Sequence, residues 1–176
     1  IWIGTQSGLY FFHAATRELS PYPIGGHDNQ KYDIRSLLLD GDHLWIGTYA
    51  KGIRVVNLRT GAVKVYTHSR GIPYTICSND VLCFYRGRNG EIYVGTSWGL
   101  CRYDAAKDNF MPIINIGSMI SITDMHEDMY NHLWIATSSS GVFTYNTING
   151  HYKNYQHERE DSTTITSNSI ITLFED

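Results

Sequence analysis

Eight histidines in 176 residues are the first place to look for metal or acid–base chemistry. The densest group is His126-Glu127-Asp128, with His132 close behind. A helical zinc site needs a second histidine four residues on, and structural sites usually add cysteine thiolates. Neither condition is met, so the group reads as the polar residues of a turn and no metal site is expected. His151 and His157 are spread along a strand and its exit. The carboxylates Asp40, Asp42, Asp128 and Asp176 recur at equivalent turns, where acidic side chains bond nearby backbone N–H groups. P-loop and dinucleotide fingerprints are absent. The Gly4 to Gly8 spacing leads into a strand, not into the helix N-terminus that would hold an anion. A glycosidase or lyase would need two carboxylates converging across a pore, which the turn acids do not supply. No catalytic residue and no cofactor is assigned, and a propeller enzyme of that kind stands as the alternative.

Cys77, Cys83 and Cys101 cannot all pair, and none lies in a C-x-x-C arrangement. They read as small, buried or half-buried hydrophobes; a Cys77–Cys83 bridge would require the chain to turn back between them. A net charge of −3 with fourteen scattered Lys and Arg gives no basic stripe, so no nucleic-acid partner is expected. No apolar run approaches the roughly 18 residues of a membrane span, so no membrane insertion by this segment is expected. The chain opens on Ile1-Trp2-Ile3-Gly4-Thr5, without an initiator Met or a leader, and so reads as the interior of a longer protein.

That opening pentapeptide is the main organising signal. It recurs as Leu44-Trp45-Ile46-Gly47-Thr48, Ile92-Tyr93-Val94-Gly95-Thr96 and Leu133-Trp134-Ile135-Ala136-Thr137. Each copy is followed by a Gly and a new apolar run, beginning at Gly8, Gly52, Gly99 and Gly141. A turn and a fourth strand follow, clearest as Val63 to Tyr66 and Tyr152 to Tyr155. Before the later copies stand further runs at Ile34 to Leu39, Val81 to Tyr85 and Ile120 to Met125, each ending in a polar turn. Runs of four to seven residues rich in Ile, Val, Tyr, Trp and Thr, bounded by Gly, Asn, Asp or Pro, are strands. Each unit is therefore strand A before the turn, strand B (the pentapeptide), strand C after the Gly, and strand D.

A four-stranded unit repeated about every 40–50 residues predicts an all-β fold, a β-propeller of about four antiparallel blades. The units fall at 1–33, 34–80, 81–119 and 120–169, with 170–176 the first strand of a further unit. Leu44-Trp45-Ile46 is apolar throughout, so both faces of strand B are expected to be covered by stacked sheets. The tryptophans Trp2, Trp45 and Trp134, with Tyr93, are thus expected in the core.

Leu44-Trp45-Ile46-Gly47-Thr48 followed by Gly52, the Tyr103-Asp104 pair, the acidic turns Glu127-Asp128 and Glu175-Asp176, and the terminal Ser78-Asn79 and Ser167-Asn168 together resemble the two-component regulator propeller repeat. The resemblance covers essentially the whole chain. Departures are Ala136 in place of Gly, Asp40-Gly41 in place of Glu-Asp, and no Tyr-Asp in the first copy. It implies the periplasmic sensor region of a hybrid two-component system of the Bacteroidetes kind, anchored in the inner membrane, with kinase chemistry elsewhere in the full-length protein. It further implies an oligosaccharide ligand and a receptor homodimer. Such propellers have seven blades, so the chain is expected to be a fragment of a larger one. A closed four-blade ring, pairing 170–174 with 1–5, is the other arrangement.

In a propeller the B–C and D–A loops share one face around the pore. Trp98 stands in such a loop rather than at a repeated strand position, and can stack on a sugar ring or fill a gap between blades. Tyr49, Lys51 and Arg70 can hydrogen-bond or pair with an acidic glycan. The candidate ligand-binding set is therefore Trp98, Tyr49, Lys51 and Arg70. A scaffold that leaves the ligand to other blades is the third reading.

Overall fold

The computed structural model describes residues 1–25, 31–113 and 119–176. Among them run fifteen strands and no α-helix. The first sheet has three strands, β1 (Trp2–Thr5), β2 (Gly8–His13) and β3 (Glu18–Tyr22). Blade two is β4 (Ile34–Asp40), β5 (His43–Thr48), β6 (Ile53–Asn57) and β7 (Val63–Tyr66). Blade three is β8 (Val81–Arg86), β9 (Ile92–Thr96), β10 (Gly99–Asp104) and β11 (Asn109–Pro112). Blade four is β12 (Ile122–Glu127), β13 (His132–Thr137), β14 (Val142–Asn146) and β15 (Tyr152–Tyr155). Every sheet is an antiparallel meander in sequence order.

The apolar pentapeptide is explained by the two-residue period of a strand lying between two sheets. Leu44 and Ile46 enter one core with Leu9 of the preceding sheet and Ile24 of the loop that follows it, while Trp45 points the other way into the core shared with Val81, Ile92 and Val94. Tyr93 repeats the move toward Leu133 and Ile135 of blade four. The aliphatic positions thus face the previous blade and the aromatic one faces the next. Trp45 and Tyr93 are buried as expected. Trp2 and Trp134 are only half-buried, because Trp2 belongs to the three-stranded sheet and Trp134 faces away from blade three.

The fourth pentapeptide position lies under the first strand of the next blade. A Cβ on Gly4 would come within 2.5 Å of Ile34, one on Gly47 within 2.7 Å of Val81, and one on Gly95 within 2.8 Å of Ile122. The threonine closes the B–C hairpin each time. Its hydroxyl donates to the carbonyl of Gly8, Gly52, Gly99 or Gly141 at 2.7–2.9 Å. The two long D–A loops in full view, 67–79 and 156–168, repeat one construction. His68 N–H bonds the Asn79 side chain, and the His68 ring nitrogen meets the carbonyl of Ile76. His157 does the same with Asn168 and Ile165. Both histidines are therefore loop braces.

Strand A of blade four starts at Ile122 rather than Ile120, with a bulge-like register shift inside it between Ile122 and Asp124. Ile170–Phe174, expected as a strand, is not paired in any sheet, and it does not pair with Ile1–Thr5; β1 is an edge strand. A strand needs a neighbour's ladder. The segment is held instead by side chains of β12: Thr123 Oγ1 donates to the Ile170 carbonyl, Leu173 N–H donates to Asp124, and His126 meets Glu175 at 2.7 Å.

One polar junction between blades two and three, outside their apolar core, is built on a carboxylate. Asp108 lies in the C–D turn at φ 55, where Gly61 and Gly150 occupy the matching turns of their blades. A left-handed residue other than Gly costs about 1 kcal/mol. The Tyr66 and Tyr103 hydroxyls donate to Asp108 Oδ1 at 2.5 and 2.7 Å, and Lys64 pairs with Oδ2. Lys64 first, then the two phenols, hold the Asp108 carboxyl at about 2, below its ordinary 3.8. Burial first, then Asp108, raises the Tyr66 hydroxyl. A depressed acid contributes stability that is present above the unfolded value and disappears as pH falls through the folded one. The contribution is screened, since the Asp108 side chain is 44% exposed. Urea midpoints should therefore fall between about pH 4 and about pH 2, and Asp108→Asn should flatten that limb. An unchanged limb in the variant would remove Asp108 from this role.

Candidate ligand face

B–C turns and D–A loop ends are bonded to one another, which puts them on one face of the sheets. Tyr49 N–H donates to the Asp33 carbonyl, Ser97 N–H to that of Asp80, and Ser138 N–H to that of Ser121. Asp80 joins two neighbouring turns. Its Oδ1 accepts from Ala50 N–H at 2.7 Å, while its backbone carbonyl and Oδ2 meet Ser97. Tyr49 and Lys51 flank the first contact and Trp98 follows the second, so the fold sets these three on adjacent turns.

Trp98 is 57% exposed and Tyr49 is 53% exposed. A tryptophan filling an interblade gap would be buried, as Trp45 is. The Arg35 guanidinium lies 5.4 Å from the Tyr49 ring centre and pairs with Asp33. Lys51 stands over the Tyr32 ring at 4.9 Å and donates to the Lys31 carbonyl. Arg54 stacks on the same ring at 4.0 Å and donates to the Tyr32 hydroxyl. Tyr32 thus carries two cations, the second of which sequence reasoning did not single out because Arg54 lies inside a strand. Arg70 is exposed in loop 67–79, and no bond among the described residues joins it to the other three. Tyr74, 52% exposed in that loop, is a further aromatic that the sequence reading missed. Of the loop 23–32, residues 26–30 lie outside the described residues.

Clefts also lie away from this face. One of about 420 Å³ is lined by Asp40, His43, Trp45, Tyr66, Tyr103 and Asp108, between blades two and three. Its acids are already engaged: Asp108 as above, and Asp40 with Arg86 at 3.1 Å.

The histidine-rich cluster is also internally committed. Glu127 is buried and accepts from Arg88 N–H at 2.7 Å and from the Thr147 hydroxyl at 3.1 Å, tying blade four to blade three. Asp128 accepts from the Trp134 indole N–H at 2.9 Å and contacts the His132 ring at 3.3 Å. Burial would raise the Asp128 carboxyl, but the bonds from Trp134, His132 and Tyr130 outweigh it and hold the group below its usual range. Gly95-Thr96-Ser97-Trp98-Gly99 spells the G-x-S-x-G of a nucleophile elbow, a pattern that sequence reasoning wrongly took to be absent. The elbow needs a strand-to-helix turn and a histidine base. Here Ser97 lies in a β-hairpin, with its hydroxyl on Ser78 at 2.9 Å and Asp80 at 3.4 Å.

Residues 75–98, from the end of a D–A loop through β8 and β9 to Trp98, match the model of the two component regulator propeller. The extracellular domain of the hybrid two component system BT3049 from B. thetaiotaomicron is 24% identical over 99% of this chain, with a TM-score of 0.81. That of BT4673 from the same organism is 20% identical over 99%, with a TM-score of 0.67. The chain spans 22% and 28% of those two proteins. The computationally designed Ika8 protein, 12% identical, matches over 99% of this chain and 49% of its own at a TM-score of 0.64. No curated protein sequence matches the chain. The chain is a β-propeller segment in which residues 75–98 match the two-component regulator propeller repeat.

Proposed function

We propose that the chain is the non-enzymatic, ligand-sensing propeller segment of a periplasmic hybrid two-component sensor, and that its ligand is an oligosaccharide. The observation that carries this reading is the pair of exposed aromatics, Trp98 and Tyr49, on adjacent turns joined through Asp80. Flat aromatic faces suit the apolar face of a sugar ring, and Lys51 and Arg70 supply donors for its hydroxyl or acidic groups. The extracellular setting of the BT3049 and BT4673 domains supports a periplasmic location. No helix among the described residues is long and apolar enough to cross a membrane. In the full-length receptor the partner is a second copy of the receptor, as the family resemblance implies, and the kinase is outside this segment. The commitment of Asp108, Glu127 and Asp128 to bonds between or within blades supports the absence of catalysis.

Trp98→Ala tests the site. The variant should melt as the parent does, because its side chain is exposed, yet bind an oligosaccharide about tenfold more weakly by calorimetry. Equal affinity for every glycan that the parent binds would take Trp98 out of the site. Turnover of a glycan that depends on one loop carboxylate would instead make the chain an enzyme.

A further inference from the structure

Positive charge gathers around one buried ring next to the Tyr49 turn. Tyr32 is 3% exposed, and its hydroxyl accepts from Arg54 Nη2 at 2.6 Å. The Arg54 guanidinium lies 4.0 Å and the Lys51 ammonium 4.9 Å from the ring centre, so two cations share one phenol. Arg35 stands beside the Tyr49 ring, and Lys31 is exposed next to Tyr32. The carboxylates of this stretch are engaged: Asp33 pairs with Arg35 at 2.8 Å, and Asp80 accepts from Ala50 N–H and from the Ser97 hydroxyl. Among the described residues, no carboxylate pairs with Lys51 or Arg54. The Arg54 Nε and Nη1 atoms are buried and have no hydrogen-bond partner. A guanidinium keeps its charge in such a place, and water and salt screen it less than they screen a surface cation. Lys51, half-buried, rests on the Lys31 carbonyl at 3.2 Å and on the Tyr32 ring, neither of which neutralises it. A local excess of positive charge thus stands on a chain whose net charge is −3.

We propose that the ligand of this face is an acidic oligosaccharide and that Lys51 pairs with its anionic group, a proposal that rests on the oligosaccharide-sensing reading above. Lys51 shares its turn with Tyr49, and Asp80 ties that turn to the one bearing Trp98. A sugar chain laid across the two turns, with rings on Trp98 and Tyr49, passes beside Lys51. A neutral sugar gains an ordinary hydrogen bond there. An anionic one gains a charge-assisted bond, about twice as strong, together with the attraction of Arg54. An ammonium is a point charge with three rotatable donors and no fixed fork, so it serves a planar carboxylate and a tetrahedral sulfate alike. The shared chemistry is an anionic sugar substituent, either a uronate or a sulfate ester.

The test is calorimetry on the intact protein with oligogalacturonate, a sulfated galacto-oligosaccharide and a neutral galacto-oligosaccharide, all matched in length. An acidic probe should bind about tenfold more tightly than the neutral one. That advantage should shrink as salt rises from about 0.05 to about 0.5 M. Tighter binding of the first probe identifies a uronate, and of the second a sulfate; either result supports the proposal. Lys51→Gln should melt as the parent does and lose most of the advantage, whereas Lys51→Arg, which keeps the charge, should retain it. Equal affinity for all three probes, or a Lys51→Gln loss that is the same for acidic and neutral probes, would overturn the proposal and leave the sensing reading standing. Binding of none of the probes would overturn that reading, and the proposal with it. If Lys51→Gln does not fold, the parent's ranking of the probes and its salt dependence still decide the matter.

Discussion

Gly52→Ala is expected to destabilise the protein by about 3 kcal/mol or more, although it adds a single methyl group. Gly52 follows the B–C turn at φ 70, and a Cβ there would stand 2.2 Å from the backbone carbonyl oxygen of Tyr66. No side chain can swing aside to relieve that contact, because the obstacle is strand D itself. The same residue donates to the Asn79 carbonyl and accepts from the Thr48 hydroxyl, so moving it disturbs the hairpin and the D–A loop together. Gly41→Ala provides the comparison. Its φ is 56 but nothing lies within 4 Å, so it should cost only the left-handed penalty of about 1 kcal/mol. Urea midpoints of the two variants check the difference. Equal losses would show that close approach is not what demands glycine at position 52.

Phe110→Ala should cost about 3–5 kcal/mol, the range for removing a buried phenylalanine. Phe110 is 1% exposed, in the core that joins blades two and three. Its ring contacts Tyr66 at 5.1 Å and Tyr103 at 5.3 Å between centres, and those two phenols hold Asp108. The cavity would therefore loosen both the apolar and the polar halves of this boundary, and the loss should not add simply to that of Asp108→Asn. Ile148→Ala, at a 77% exposed turn position, should change stability by less than about 0.5 kcal/mol. A Phe110→Ala loss as small as that would mean the blades repack freely.

The blade architecture was legible because its causes are local and recur four times. A strand between two sheets must be apolar on both faces, a hairpin needs its threonine and glycine, and each requirement writes a short pattern into the chain. Val63–Tyr66 and Tyr152–Tyr155 could be bounded to the residue for the same reason. Ala136 reads as a mere departure until the neighbouring strand is seen; glycine is demanded only where Ile34, Val81 or Ile122 presses on strand B. The site was legible in part. Loop placement marks Trp98 and Tyr49, but their exposure and their junction through Asp80 depend on hydrogen bonds between residues 17 and 30 positions apart in the chain.

Between-blade contacts have no such signature. Asp108 meets Lys64 and Tyr66 over 44 and 42 residues of chain, and Glu127 meets Arg88 N–H over 39. Spacing along a chain sets which residues share a face of one sheet. Which side chains touch across two sheets depends on how those sheets twist and stack, and that is decided only when the whole core packs.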